Sequence, residues 1–134
     1  MCYAPNNNIL RGERILKLLI AVKSGNMADD LLAALSKYEI HICATGADAL
    51  AMLETLRPEI LLLDLSLPVI DGLTLLRSIH YRPKYILALT NVATPVVLQA
   101  AADAGVQDMI FLPCTVRHII KHLNALIGKA PSAD

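Results

Sequence analysis

Two hydrophobic patterns alternate along the chain. Short apolar runs are each followed by a segment in which apolar residues recur every three or four positions. The runs are Leu16–Val22, Ile40–Cys43, Ile60–Leu63, Tyr85–Leu89 and Met109–Leu112. Their length suits strands, and an unbroken apolar run suits a strand covered on both faces. Ile40-His41-Ile42-Cys43 alternates instead, which predicts an edge strand with one wetter face.

The intervening segments carry helix signals. Asn26 is a candidate cap for a first helix whose stripe is Met27, Leu31, Ala34, Leu35 and Tyr38. Thr45, with Asp48 three positions on, caps a second helix that turns Leu50, Leu53 and Leu56 inward and stops at Pro58. Asp71 opens a third helix with Leu73, Leu76 and Ile79, broken by Pro83. Thr94-Pro95 starts a fourth, ended by Gly105. Thr115 caps a fifth, with Val116, Ile119, Ile120, Leu123 and Ile127 on one face and Gly128 closing it. Five strand–helix units in strict alternation predict a doubly wound α/β fold. Its sheet is parallel, in order 2-1-3-4-5, with crossovers on both faces. The first, third and fourth strands are central, and the switch point lies between the first and the third. Residues 1–13 read as a polar lead-in, 14–128 as the domain, and 129–134 as a tail or the start of a linker.

Composition narrows the classes. The chain has 134 residues, enough for one domain with a real core. Lys plus Arg and Asp plus Glu both number 12, so no net charge draws it to nucleic acid or to a membrane surface. No apolar run approaches the roughly 18 residues of a membrane span. Cys2, Cys43 and Cys114 are odd in number and far apart, which argues against a disulfide framework or a zinc site and suits a reducing cytoplasm.

Open parallel sheets place their chemistry at the carboxyl ends of the strands. Lys23-Ser24 follows the first strand, Asp64 ends the third, Thr90 ends the fourth, and Leu112-Pro113 ends the fifth. The rim therefore gathers one carboxylate, one ammonium, two hydroxyls and a leucine. Lys23 is expected close enough to Asp64 to neutralise it. Asp29 and Asp30 read as favourable charges in the first turn of the first helix, and His118 and His122, four apart, as a solvated face with no third ligand.

Leu63-Asp64-Leu65-Ser66-Leu67-Pro68, with Asp71-Gly72-Leu73 behind it, resembles the receiver domains of two-component response regulators. Ala101-Ala102-Asp103-Ala104-Gly105 and then Pro113 keep that family's spacing, and the resemblance covers roughly residues 14–128. It implies a cytoplasmic signalling module, not an enzyme, with no catalytic residue. Asp64 falls at the phosphoacceptor position, Thr90 and Met109 at the switch positions, and Leu112-Pro113 at a peptide that is typically cis. It implies a sensor histidine kinase, and an output domain or protein, as partners. It also implies a possible homodimer through helix four, strand five and helix five, and transcription control through a further domain.

The departures bear on mechanism. Receivers carry two acidic residues after the first strand, where this chain has Lys23 and Ser24, and a lysine where it has Leu112. Mg²⁺ in the family is held by the acidic pair, the phosphoacceptor and a backbone carbonyl, here that of Ser66. Mg²⁺ binding is accordingly expected to be weak or absent, and signalling weakly dependent on phosphate or independent of it. The alternative is a working phosphoacceptor at Asp64. A third reading, a flavodoxin-like cofactor module, lacks both a phosphate loop at Lys23-Ser24-Gly25-Asn26 and aromatics to sandwich a flavin.

Overall fold

A computed structural model describes residues 2–3, 15–23 and 25–128. Its elements in order are β1 Cys2–Tyr3, β2 Lys17–Ala21, α1 Gly25–Ala34, β3 Glu39–Cys43, α2 Gly46–Leu56 and β4 Ile60–Asp64. They continue with α3 Gly72–Ser78, β5 Tyr85–Thr90, α4 Pro95–Asp103, β6 Asp108–Phe111 and α5 Val116–Gly128. The sheet order is β1-β3-β2-β4-β5-β6. The five long strands are parallel in the expected 2-1-3-4-5 order.

Period-two side chains split the core into two layers. Leu18, Ile20, Leu62, Leu87 and Leu89 face α1 and α5, where Leu31, Leu35, Ile119 and Leu123 meet them. Leu19, Ala21, Leu61, Leu63 and Ala88 face the other side, against Ala49 and Leu53 of α2, Leu75 and Leu76 of α3, and Ala101 of α4. All five residues of β4 are buried, as are all six of β5. A strand so enclosed must be apolar, and this is why Asp64 is conspicuous.

Four local readings need correction. The lead-in supplies a strand: Cys2–Tyr3 pairs antiparallel with His41 and Ile40, so β3 is not an edge. An edge strand carries unpaired backbone N–H and C=O groups, and these two residues satisfy some of them. The wetter face expected of β3 is also buried: His41 is only 7% exposed, with Nε2 2.8 Å from Oε2 of Glu39. The first helix starts at Gly25, one residue before Asn26, and Ala34 is exposed, so Ala28 joins Leu31, Leu35 and Tyr38 on the buried stripe. The side chains of Asn26 and Met27 lie outside the described residues. In α3 Leu76 is buried as expected, but Leu75 joins it while Leu73 and Ile79 are only half-buried, and the helix stops at Ser78, well before Pro83.

The other caps hold. Thr45 accepts from the Asp48 N–H at 3.1 Å, Asp71 from Thr74 at 2.9 Å and Thr94 from Val97 at 3.3 Å. Thr115 and His118 cap α5 reciprocally. Gly105 takes φ 98° after α4, the left-handed region that glycine enters freely. Among the described residues no helix is long and apolar enough to cross a membrane.

Candidate functional site

Asp64 is the last residue of β4 and is 4% exposed. Its neighbours fix it from within its own loop. The backbone N–H of Ser66 donates to Oδ1 at 2.9 Å, and the Ser66 hydroxyl donates to the same oxygen at 2.7 Å. The loop is then pinned at both ends. Leu65 donates its N–H to the Leu89 carbonyl at 2.9 Å, Gly72 donates to Leu65 at 3.1 Å, and Gly46 at the start of α2 donates to the Pro68 carbonyl at 3.0 Å. Only glycine permits that last approach, since a Cβ on Gly46 would lie 1.8 Å from the Ile70 carbonyl oxygen.

Oδ2 of Asp64 has no hydrogen-bond partner among the described residues. No side-chain oxygen or nitrogen there is both enclosed and unpaired, so Oδ2 is reached from open space. Asp64 lines a cavity of about 270 Å³. Its walls are Val22, Leu89, Leu112, Pro113 and Cys114, with Lys23 and Asp64 the polar members. Burial raises the Cys114 thiol above its ordinary value, so it stays protonated and acts as an apolar wall. Cys43, below the sheet's other face, is pushed up to about 12 by burial and by the Asp48 carboxylate, and is inert in the same sense.

The expected rim residues separate into two groups. Lys23, Asp64, Leu112 and Pro113 line one cavity, with Ser66 bonded to Asp64 and the Leu112–Pro113 peptide cis. Thr90 and Met109 do not line it. Thr90 is buried at the end of β5, and its hydroxyl is engaged locally. It accepts from the Val92 N–H at 3.1 Å and lies 3.3 Å from the Val92 carbonyl. Met109 packs on the α3–α4 side of the sheet. Ser24 lies outside the described residues.

The expected neutralising contact is absent: among the described residues Lys23 makes no ion pair with Asp64, and its side chain is exposed. A flexible, exposed ammonium gains little from a single ion pair against the side-chain entropy and hydration it would give up. Asp29 and Asp30 are exposed in the second turn of α1, away from the cavity. His122 is not merely solvated, since its Nδ1 lies 2.8 Å from Oδ2 of Asp108 and ties α5 to β6. Sequence reasoning missed Val22, Leu89 and Cys114 as walls. Alternation could have found the first two, because both share the side of the sheet that carries Leu18, Ile20 and Leu87.

A divalent cation such as Mg²⁺ wants near-octahedral oxygen ligation. Here one carboxylate oxygen is available, the walls are apolar, and the other charged side chain is a cation. Among the described residues no group of three or more His, Cys, Asp or Glu side chains is placed to hold a metal. This donor set does not fit the ion.

Comparison with known proteins agrees with the fold. The model of the response regulator receiver domain matches residues 25–124. The chain is 34% identical over 88 residues to protein-glutamate methylesterase/protein-glutamine glutaminase 3 of Rhodospirillum rubrum, covering 63% of this chain and 24% of that protein. It is 25% identical over 123 residues to response regulator MprA of Mycobacterium avium, covering 89% and 54%. It thus spans about a quarter to a half of the length of these curated relatives. Chemotaxis protein CheY4 of Vibrio cholerae superposes with a TM-score of 0.75 at 23% identity, covering 84% of this chain and 99% of that one.

Proposed function

Since the chain belongs to the response regulator receiver domain family, the receiving module of two-component signalling, we propose that it signals through what it binds rather than through a phosphoryl group. In this reading Asp64 keeps the phosphoacceptor position but has lost the surroundings that phosphoryl transfer uses. Receiver domains interact with histidine kinases and output domains. This one acts on an output domain or protein as a binding module, with transcription control through a further domain as the output class.

One observation carries the reading: Asp64 lines a mostly apolar cavity. The transferred phosphoryl group spreads charge over three equatorial oxygens, and catalysis consists of positioning and neutralising that charge. Leu112 and Val22 offer no donor to those oxygens. Thr90 is turned to its own loop, and Lys23 is an exposed charge beside an apolar wall. A doubly charged group placed against Leu89 and Leu112 would lose hydration without equivalent partners.

The accessibility of Oδ2 favours a second reading, that a sensor kinase still delivers phosphate there. Intact mass after incubation with a small phosphoryl donor and Mg²⁺ separates the two. The expected outcome is no mass gain. A phosphoryl adduct on Asp64, formed at a rate ordinary for receivers, overturns the first reading. A companion measurement uses the double variant Lys23→Asp plus Ser24→Asp. Millimolar Mg²⁺ should leave the melting temperature of the parent unchanged and raise that of the variant, whose added carboxylates supply oxygen ligands beside Asp64.

The α4–β6–α5 face is our proposal for contact with a partner or a second copy. Val96 is 78% exposed at the start of α4 and Phe111 47% exposed on β6.

A further inference from the structure

We propose that the cavity over Asp64 is a ligand site for a small zwitterion with an aliphatic body, of the size and charge pattern of a branched-chain amino acid. The proposal rests on the reading that no phosphoryl group uses this site, and it names what occupies the space instead.

Size comes first. A cavity of about 270 Å³ is larger than the roughly 150 Å³ apolar hole that holds benzene. It lies just below the range of about 300–1,000 Å³ typical of drug-sized ligands. The space suits a molecule of about ten heavy atoms or fewer.

Polarity selects the chemistry. The walls formed by Val22, Leu89, Leu112 and the protonated Cys114 reward an aliphatic body. Asp64 is 4% exposed, and both of its hydrogen bonds go to Oδ1. Asp64 lines the cavity, and its Oδ2 makes no hydrogen bond among the described residues, so it is free to accept one from an occupant. An ammonium donor satisfies it with a charge-assisted bond. Lys23 sits at the same cavity with an exposed side chain that makes no ion pair among the described residues. A plain alkylamine would meet that like charge, and a plain carboxylic acid would meet Asp64. A molecule carrying both groups beside an aliphatic chain has each charge opposite its complement.

Position gives the site a consequence. The lining comes from the end of β2, the end of β4, β5, and the loop between β6 and α5. Leu112 also donates its N–H to the Thr90 carbonyl at 2.8 Å. An occupant therefore touches the ends of β2 and β4, Leu89 of β5 and the β6–α5 loop, and through Leu112 it lies one hydrogen bond from Thr90.

The test is a methyl and amide NMR titration of the whole chain with four probes: L-leucine, isopentylamine, 4-methylpentanoate and glycine. L-Leucine should give saturable shifts at Val22, Leu89 and Leu112, with a dissociation constant on the order of 0.1–1 mM, which a ligand of this size reaches. The amine and the acid should each bind about tenfold more weakly or worse, and glycine should give no saturable shift. Asp64→Asn should weaken L-leucine by about tenfold or more, with amide positions outside the cavity unmoved. Leu112→Lys fills the space from the half-buried wall and leaves Asp64 in place, so it should abolish binding even if Asp64→Asn disturbs the fold. No saturable shift from any probe up to about 10 mM overturns the proposal. So does binding of the amine or the acid as tight as that of L-leucine, or binding untouched by both variants. The phosphorylation assay fails or succeeds independently: a mass gain sinks the phosphate-free reading, whereas absent binding without a mass gain sinks only the ligand.

Discussion

The two flanks of the site are built differently. On the β4 side, Ala49 and Leu53 of α2 have no exposed surface, and Gly46 and Gly72 bring backbone against backbone around the Asp64 loop. On the α4 side, Ala101 is the one fully buried residue of its helix, while Val96 and Leu98 reach water. Val92 in the preceding loop and Phe111 on the neighbouring β6 are exposed as well. The two helices are of similar length, and both are capped by threonine, so capping does not separate them. Burial does. The first flank is a frame that holds Asp64, and the second keeps apolar surface available at little cost in stability. An element with few buried contacts is the one that opens or shifts most readily.

The contrast can be broken most directly by paired truncations. Leu53→Ala should destabilise by about 3 kcal/mol, as expected for a fully enclosed leucine. Leu98→Ala should change stability by less than about 1 kcal/mol, as expected near the surface. Urea denaturation of both variants checks this, and equal losses would mean that the flanks are not different. Gly46→Ala comes next, with an expected loss of about 2–3 kcal/mol, because the new methyl meets backbone that cannot rotate away. A smaller opposite effect belongs to Val69, which is 79% exposed yet holds φ 73° in the Asp64 loop. Val69→Gly relieves a left-handed conformation that costs about 1–2 kcal/mol, less about 0.5–1 kcal/mol of glycine's extra unfolded-state entropy. A net gain of roughly 0.5–1 kcal/mol should appear as a raised melting temperature.

The smallest effect is on pH dependence. Hydrogen bonds, first from the Thr74 N–H and then from its hydroxyl, hold the Asp71 carboxyl below its usual 3.8. A depressed folded-state value means that the contribution is present above about pH 4 and is lost as pH falls through the folded value. Asp71→Asn retains a cap that does not titrate. The stability difference between the two proteins should therefore shrink on acidification below about pH 4 and stay constant above it.

The strand pattern, the capping threonines and Asp71 were legible because each depends on residues close in sequence. The identity of the central strands was legible for the same reason, since Ile60–Asp64 and Tyr85–Thr90 are apolar enough to require cover on both faces. The site was legible as a set of addresses but not as contacts. Lys23 and Asp64 line one cavity but form no ion pair: the Ser66 hydroxyl, only two residues from Asp64, takes Oδ1, and the exposed Lys23 ammonium keeps its hydration. Thr90 turned to Val92 for the same reason of proximity. The cavity was not legible at all, because a volume is set by several strand ends at once and no single residue announces it. Nor was the close approach of Gly46 to Ile70, which joins two segments distant in sequence.

The two-residue strand β1 bears on self-association. It pairs with Ile40 and His41 and so covers backbone groups that would otherwise face outward from β3. A bare strand edge is a template for a strand from another molecule. Removing Cys2 and Tyr3 should therefore create a sticky edge on the side of the sheet opposite to β6. Dimers seen in a protein trimmed at its start would then report strand-to-strand pairing through β3, and would say nothing about the helical face that includes α4.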